Sequence, residues 1–99
     1  MIILTKLKQP WERKDYDVDA SQWLAAGDSI VSAETPIVVC ATDVTDTALV
    51  VETPIVSSPF IKLWISAGTN KKTYKITVRF TTAADRRVEC EMVIKVKDE

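Results

Sequence analysis

The clearest signal along the chain is strict alternation in its last third. In KKTYKITVRFTT, Tyr74, Ile76, Val78 and Phe80 share one face, while Lys75, Thr77 and Arg79 share the other. Successive side chains of a strand point to opposite faces, so this stretch predicts a strand with one wet side. AADR follows as a short polar turn, and RVECEMVIKVK alternates again. Val88, Cys90, Met92, Ile94 and Val96 point in; Arg87, Glu89, Glu91, Lys95 and Lys97 point out. Only Val93 breaks the outer face. The pair reads as an antiparallel hairpin.

Upstream, FIKLWISAGTN predicts a strand from about Phe60 to Ser66, with Ile61, Leu63 and Ile65 on one face and Phe60, Lys62, Trp64 and Ser66 on the other. ETPIVVCA and ALVVETPIV predict shorter strands, separated by the acidic, threonine-rich TDVTDT. Glu-Thr-Pro-Ile-Val occurs twice, at 34–38 and 52–56. Two copies are too few for a solenoid, so the echo reads as two similar strand starts, each proline placed where no ladder donor is needed. About seven strands with turn signals between them, and no helix longer than a turn or two, predict an all-β fold, an antiparallel two-sheet β-sandwich. Two glycines are few for the tight corners of a closed barrel.

The stretch DYDVDASQWLAAGDSI, residues 15–30, carries three aspartates at alternate positions. An EF-hand loop would need glycine at its sixth position and glutamate at its twelfth; counted from Asp15 these are Ala20 and Ala26. A strand fits better, with Tyr16 and Val18 inward and Asp15, Asp17 and Asp19 on a solvated face. Asp19 or Ser21 is then expected to cap one helical turn near residues 21–24, turning Trp23 and Leu24 toward the end of the sandwich. Gly27 and Asp28 reverse the chain into the next strand.

Composition narrows the picture. Ninety-nine residues suit one domain, here 1–99, with 1–13 as an N-terminal arm or edge strand. Val, Ile and Thr supply 32 of the 99, a strong β bias. A net charge of −1 provides no broad positive field for nucleic acid or an anionic membrane. No apolar run approaches the roughly 20 residues that span a bilayer, and no basic leader precedes the short apolar start, so no signal peptide is expected. Synthesis in a reducing cytoplasm then predicts that Cys40 and Cys90 are buried free thiols.

The candidate chemistry is sparse. The chain has no histidine, so it lacks a Ser-His or Cys-His nucleophile pair. The acidic loop holding Asp43 and Asp46 has nothing to raise one carboxyl pKa above the other. No catalytic, metal or cofactor residues are expected, and no enzyme. The tryptophans leave a rival reading open, a small carbohydrate-binding or adhesion module. Trp11, in the polar segment KQPWERK, is its candidate exposed binding aromatic.

In order along the chain, Asp15, Tyr16, Asp19, Ser21, Trp23, Leu24, Gly27, Asp28 and Ile30, then Trp64, Ser66, Gly68, Thr69, Tyr74 and Thr77, resemble the pattern of small proteins of tailed bacteriophages and prophages. The resemblance covers roughly 80 residues; Ala20 stands where that family often has another tryptophan. It implies an immunoglobulin-like domain in which Tyr16, Ser21, Trp23, Leu24, Gly27, Asp28, Trp64, Gly68 and Tyr74 form the structural motif. It also implies a virion component of the head–tail region or tail, made in the host bacterial cytoplasm. Its partners would be other virion proteins, self-association on the particle included.

Overall fold

The alternating hairpin is the spine of one sheet. The computed structural model describes residues 2–98. Its strands are β1 (Ile2–Lys8), β2 (Lys14–Asp19), β3 (Ile30–Ala33), β4 (Ile37–Cys40), β5 (Leu49–Val51), β6 (Ile55–Ser57), β7 (Phe60–Ala67), β8 (Thr73–Thr82) and β9 (Arg87–Val96). One sheet runs β1-β9-β8, with β3 and β4 both paired to the far side of β8. The other runs β2-β7, with β5 and β6 both paired to the far side of β7.

The nine segments therefore fill seven lanes, and the repeated Glu-Thr-Pro marks the two interruptions. Ala33 lies opposite Phe80 and Ile37 opposite Thr77, four steps against three. Val51 lies opposite Ile65 and Ile55 opposite Lys62, again four against three. Each interruption inserts one extra residue, a bulge, and β3 carries a further one between Ile30 and Ser32. The glutamate amide still pairs in both, Glu34 N–H to the Arg79 carbonyl and Glu52 N–H to the Trp64 carbonyl, each at 2.9 Å. Pro36 and Pro54, which have no amide donor, stand just before β4 and β6. The sequence echo is thus one device used once in each sheet.

A constant-type immunoglobulin sandwich places strands A, B, E and D in one sheet and C, F and G in the other. Here β2, β7 and β5/β6 occupy B, E and D, and β3/β4, β8 and β9 occupy C, F and G. The first strand differs. β1 lies beside β9 and runs parallel to it, with Lys8 opposite Val96, so the sandwich is not wholly antiparallel as expected. The connectivity explains this: the chain must leave β1 at the end where β2 begins, and β9 finishes at that same end.

The inward positions of both sheets meet as expected. Ile61, Leu63 and Ile65 face Tyr74, Ile76, Val78, Cys90, Met92 and Ile94, all fully buried. Burying each large apolar side chain contributes about 1.5–3 kcal/mol. Cys40 and Cys90 are free and buried.

The expected helical turn is a short 3₁₀ turn, Ser21–Trp23. Its cap differs from the expectation. Ala20 is the N-cap and makes no side-chain bond, while the Asp19 carboxylate accepts the Ser21 N–H at 3.0 Å. Ala20 is fully buried, with its N–H on the Pro59 carbonyl. A buried position one residue past a strand end leaves Asp19 outside, bracing the turn instead of starting it.

Candidate functional site

Apart from Tyr16 and Trp64, the motif residues divide between the two ends of the sandwich. At one end, β7 finishes at Ala67, Gly68 follows, and Tyr74 is the second residue of β8. The Tyr74 ring is fully buried. Its hydroxyl accepts the Thr69 N–H at 2.8 Å and donates to Asp46 Oδ1 at 2.8 Å. This is the tyrosine corner of immunoglobulin-like sandwiches, in which a tyrosine at the start of the sixth lane ties back to backbone a few residues upstream. Burial raises the Tyr74 pKa, while hydrogen bonds from the Thr69 side chain, the Ala48 amide and the Tyr74 hydroxyl hold Asp46 below the usual carboxylate range. Gly68 has φ +100°, and a Cβ there would lie 2.8 Å from Val96 Cγ2 and 3.0 Å from Leu49 Cδ1. The glycine is required twice, by the backbone and by the core.

At the other end, Ser21, Trp23, Leu24, Gly27 and Asp28 build the corner. Trp23 is half-buried, its ring 6.3 Å from that of Phe80 and tilted by 56°. Leu24 packs against the core beside it. Gly27 takes φ +80° with open space around it, so only its backbone conformation calls for glycine. Asp28 Oδ1 accepts the Ser29 N–H at 2.9 Å and the Ala84 N–H at 3.0 Å, joining the corner to the β8–β9 turn.

Trp64 and Tyr16 belong to neither end. Trp64 points outward from β7, half-buried beneath the Arg13 guanidinium, which sits 4.3 Å from the ring centroid. Arg13 is held there by Glu52, with Nε 2.7 Å and Nη2 2.9 Å from its carboxylate oxygens. The guanidinium is both paired and stacked, as its planar fork allows. Sequence patterning did not single out Arg13 or Glu52, 39 positions apart; alternation marks the faces of a strand but not its neighbours. Tyr16 lies on the inner face of β2, 9% exposed.

The aspartates of β2 form the expected outer face, opposite Trp64, Lys62 and Phe60 of β7. Lys62 bridges Asp15 at 2.7 Å and Asp17 at 3.2 Å. An ammonium thus stands between the carboxylates that a cation would need. Among the described residues no group of three or more His, Cys, Asp or Glu side chains is placed to hold a metal ion.

Trp11 is different in kind. It is 95% exposed, and it stands on a turn that is locked from both sides. The Glu12 N–H bonds the Gln9 carbonyl at 3.1 Å, and the Gln9 N–H returns to Glu12 Oε1 at 2.7 Å. Glu12 Oε2 also pairs with Lys14 at 2.9 Å. Pro10 fixes φ inside the turn. Beneath it the Lys8 side chain is buried, its ammonium donating to the carbonyls of Gln9 and Ala67. Burial lowers the Lys8 pKa, and the hydrogen bond from the Gln9 amide, with Lys14, lowers that of Glu12. The result is a large apolar ring presented to solvent on rigid backbone.

Between the edges of β1 and β2 the sandwich is open. A groove of about 430 Å³ runs past Leu4, Lys6 and Tyr16. A second of about 350 Å³, sharing Leu4 and Asp17, continues to Ser21 and Gln22.

No curated protein matches the chain. A family model does, over residues 8–95, taking in the Trp11 turn and both motif-bearing ends and leaving most of β1 outside. The match upholds the resemblance to small tail-associated structural proteins of phages. The chain belongs to the family described as podophage GP4 fiber-tail adaptor protein gp77.

Proposed function

We propose that the chain is a non-enzymatic structural adaptor of a tailed-phage particle, joining tail proteins through protein–protein contacts. It is made in the host cytoplasm and then held in the virion. The observation that carries this reading is the Trp11 turn. An exposed tryptophan on a turn whose backbone is fixed by hydrogen bonds and a proline leaves only its two side-chain torsions to be ordered when a partner pocket closes on it. Such preorganised aromatic anchors supply most of the energy of many interfaces. The family described as a fiber-tail adaptor supplies the class of partner, other virion proteins.

The residue chemistry agrees. The Cys90 thiol is pushed up to about 11 by burial, which suits a packed side chain and not a nucleophile. Trp23 leans on Phe80 and Trp64 lies under Arg13, so Trp11 stands alone, not in the flat row of rings that suits a sugar chain.

The test is particle composition. Purified wild-type particles should contain the chain, and Trp11→Ala should deplete it from them by at least about tenfold while its melting temperature stays within a few degrees of the parent. Wild-type particles free of the chain would overturn the proposal. Glycan binding that vanishes in Trp11→Ala, with particle content unchanged, would transfer the role to sugar recognition.

A further inference from the structure

β2 is a continuous six-residue strand whose second edge has no partner strand among the described residues. In the four-lane immunoglobulin sheet the first strand covers that edge; here β1 has gone to β9 instead. Alternate N–H and C=O groups along β2 therefore point away from β7 into the open seam. Two observations say what would fill it.

The first is charge. Asp15, Asp17 and Asp19 line the outer face of β2 at every second position, where Lys62 bridges the first two; Lys6 and Lys14 line the groove on the seam side. A strand added alongside would bring its own alternate side chains level with them, within reach of cross-strand pairing. Basic residues at those positions match; acidic ones are repelled. The second is space. The seam is long enough to run the length of β2, with Leu4 of β1 facing it in both grooves.

The geometry points to strand addition on β2: the edge takes an extended segment of a neighbouring virion protein, with basic side chains at alternate positions outward and apolar ones turned into the seam. The recognition mode is β-augmentation, in which main-chain bonds supply affinity and alternate side chains supply specificity. That the donor is a virion protein rests on the function proposed above; the chemistry of the edge does not.

Two peptides test it on the full chain: one alternating lysine with valine or isoleucine over about seven residues, and the same peptide with glutamate for lysine. The lysine peptide should bind saturably, slow amide exchange in residues 15–19 by at least about tenfold, and weaken as salt is raised. Asp17→Lys should lose at least about tenfold in affinity, with the amide spectrum of the folded domain retained. Equal binding of both peptides, binding of neither, or protection appearing on β1 or β4 instead would overturn the assignment. Sedimentation showing that the chain alone dimerises through a protected β2 would give the edge to a second copy and also overturn it. These outcomes are independent of particle composition. Absence from particles would sink the proposed function and leave the edge chemistry standing.

Discussion

The hydroxyl of Tyr74 lies 2.8 Å from the carboxylate of Asp46, 28 positions away, and 2.8 Å from the amide nitrogen of Thr69, five positions away. One atom thus ties the acidic loop between β4 and β5 to the turn that feeds β8. Tyr74→Phe keeps the ring and removes both bonds. It should destabilise the domain by about 1–2 kcal/mol, the cost of leaving polar groups unmade at a buried site, with the urea m-value unchanged.

The same contact makes stability depend on pH. Asp46 is held below its ordinary pKa by the Thr69 side chain, the Ala48 amide and Tyr74. A depressed carboxyl contributes stability that is fully present above the unfolded value of about 3.9 and lost as pH falls through the folded value. Asp46→Asn should therefore destabilise the domain at neutral pH, and the gap from the parent should narrow in acid. Urea titrations at about pH 7 and below about pH 3 check this; a gap that stays constant would remove Asp46 from the acid limb.

Gly68 and Gly27 separate two reasons for a glycine. Both have positive φ, but a Cβ at Gly68 meets Val96 and Leu49, while one at Gly27 meets nothing within 4 Å. Gly27→Ala should cost about 1–2 kcal/mol, the penalty of left-handed backbone. Gly68→Ala should cost about 2–4 kcal/mol, since overpacking adds to it. Thermal unfolding of the two variants measures the difference.

Cys40 and Cys90 should be silent in the native protein. Both are free and buried, and burial pushes the Cys90 pKa up to about 11. A thiol reagent at about pH 8 should find no rapidly reacting group before unfolding and both cysteines afterwards. Fewer than two after unfolding would reveal a disulfide.

Much of this fold was written in the alternation of single strands. Ile61, Leu63 and Ile65, and the inward residues of the final hairpin, are buried as their period demands. Lanes were harder to read than strands. Nothing local in Ile2–Lys8 distinguishes a strand that joins β9 in parallel from one that covers β2, since either arrangement leaves the strand at the end where β2 begins. Lys8 is the sharpest case. A lysine reads as surface, yet here it is buried because carbonyls of Gln9 and Ala67, the latter 59 positions away, accept from its ammonium. The motif residues were legible as a set but not as places: Gly68 and Tyr74 hold one end, and Ser21, Trp23 and Gly27 the other. Trp11 alone announced itself, by standing outside every apolar pattern.

The matched bulges at Glu34–Pro36 and Glu52–Pro54 bear on how many copies can gather. A strand arriving along β3 would meet one extra residue between Ile30 and Ser32 and another beyond Ala33, and one arriving along β5 would lose step beyond Val51. Head-to-tail growth needs two complementary faces on every unit, one to receive and one to offer. On this side of the domain neither lane offers a regular ladder. Growth of an array through these two lanes is therefore disfavoured by the backbone itself.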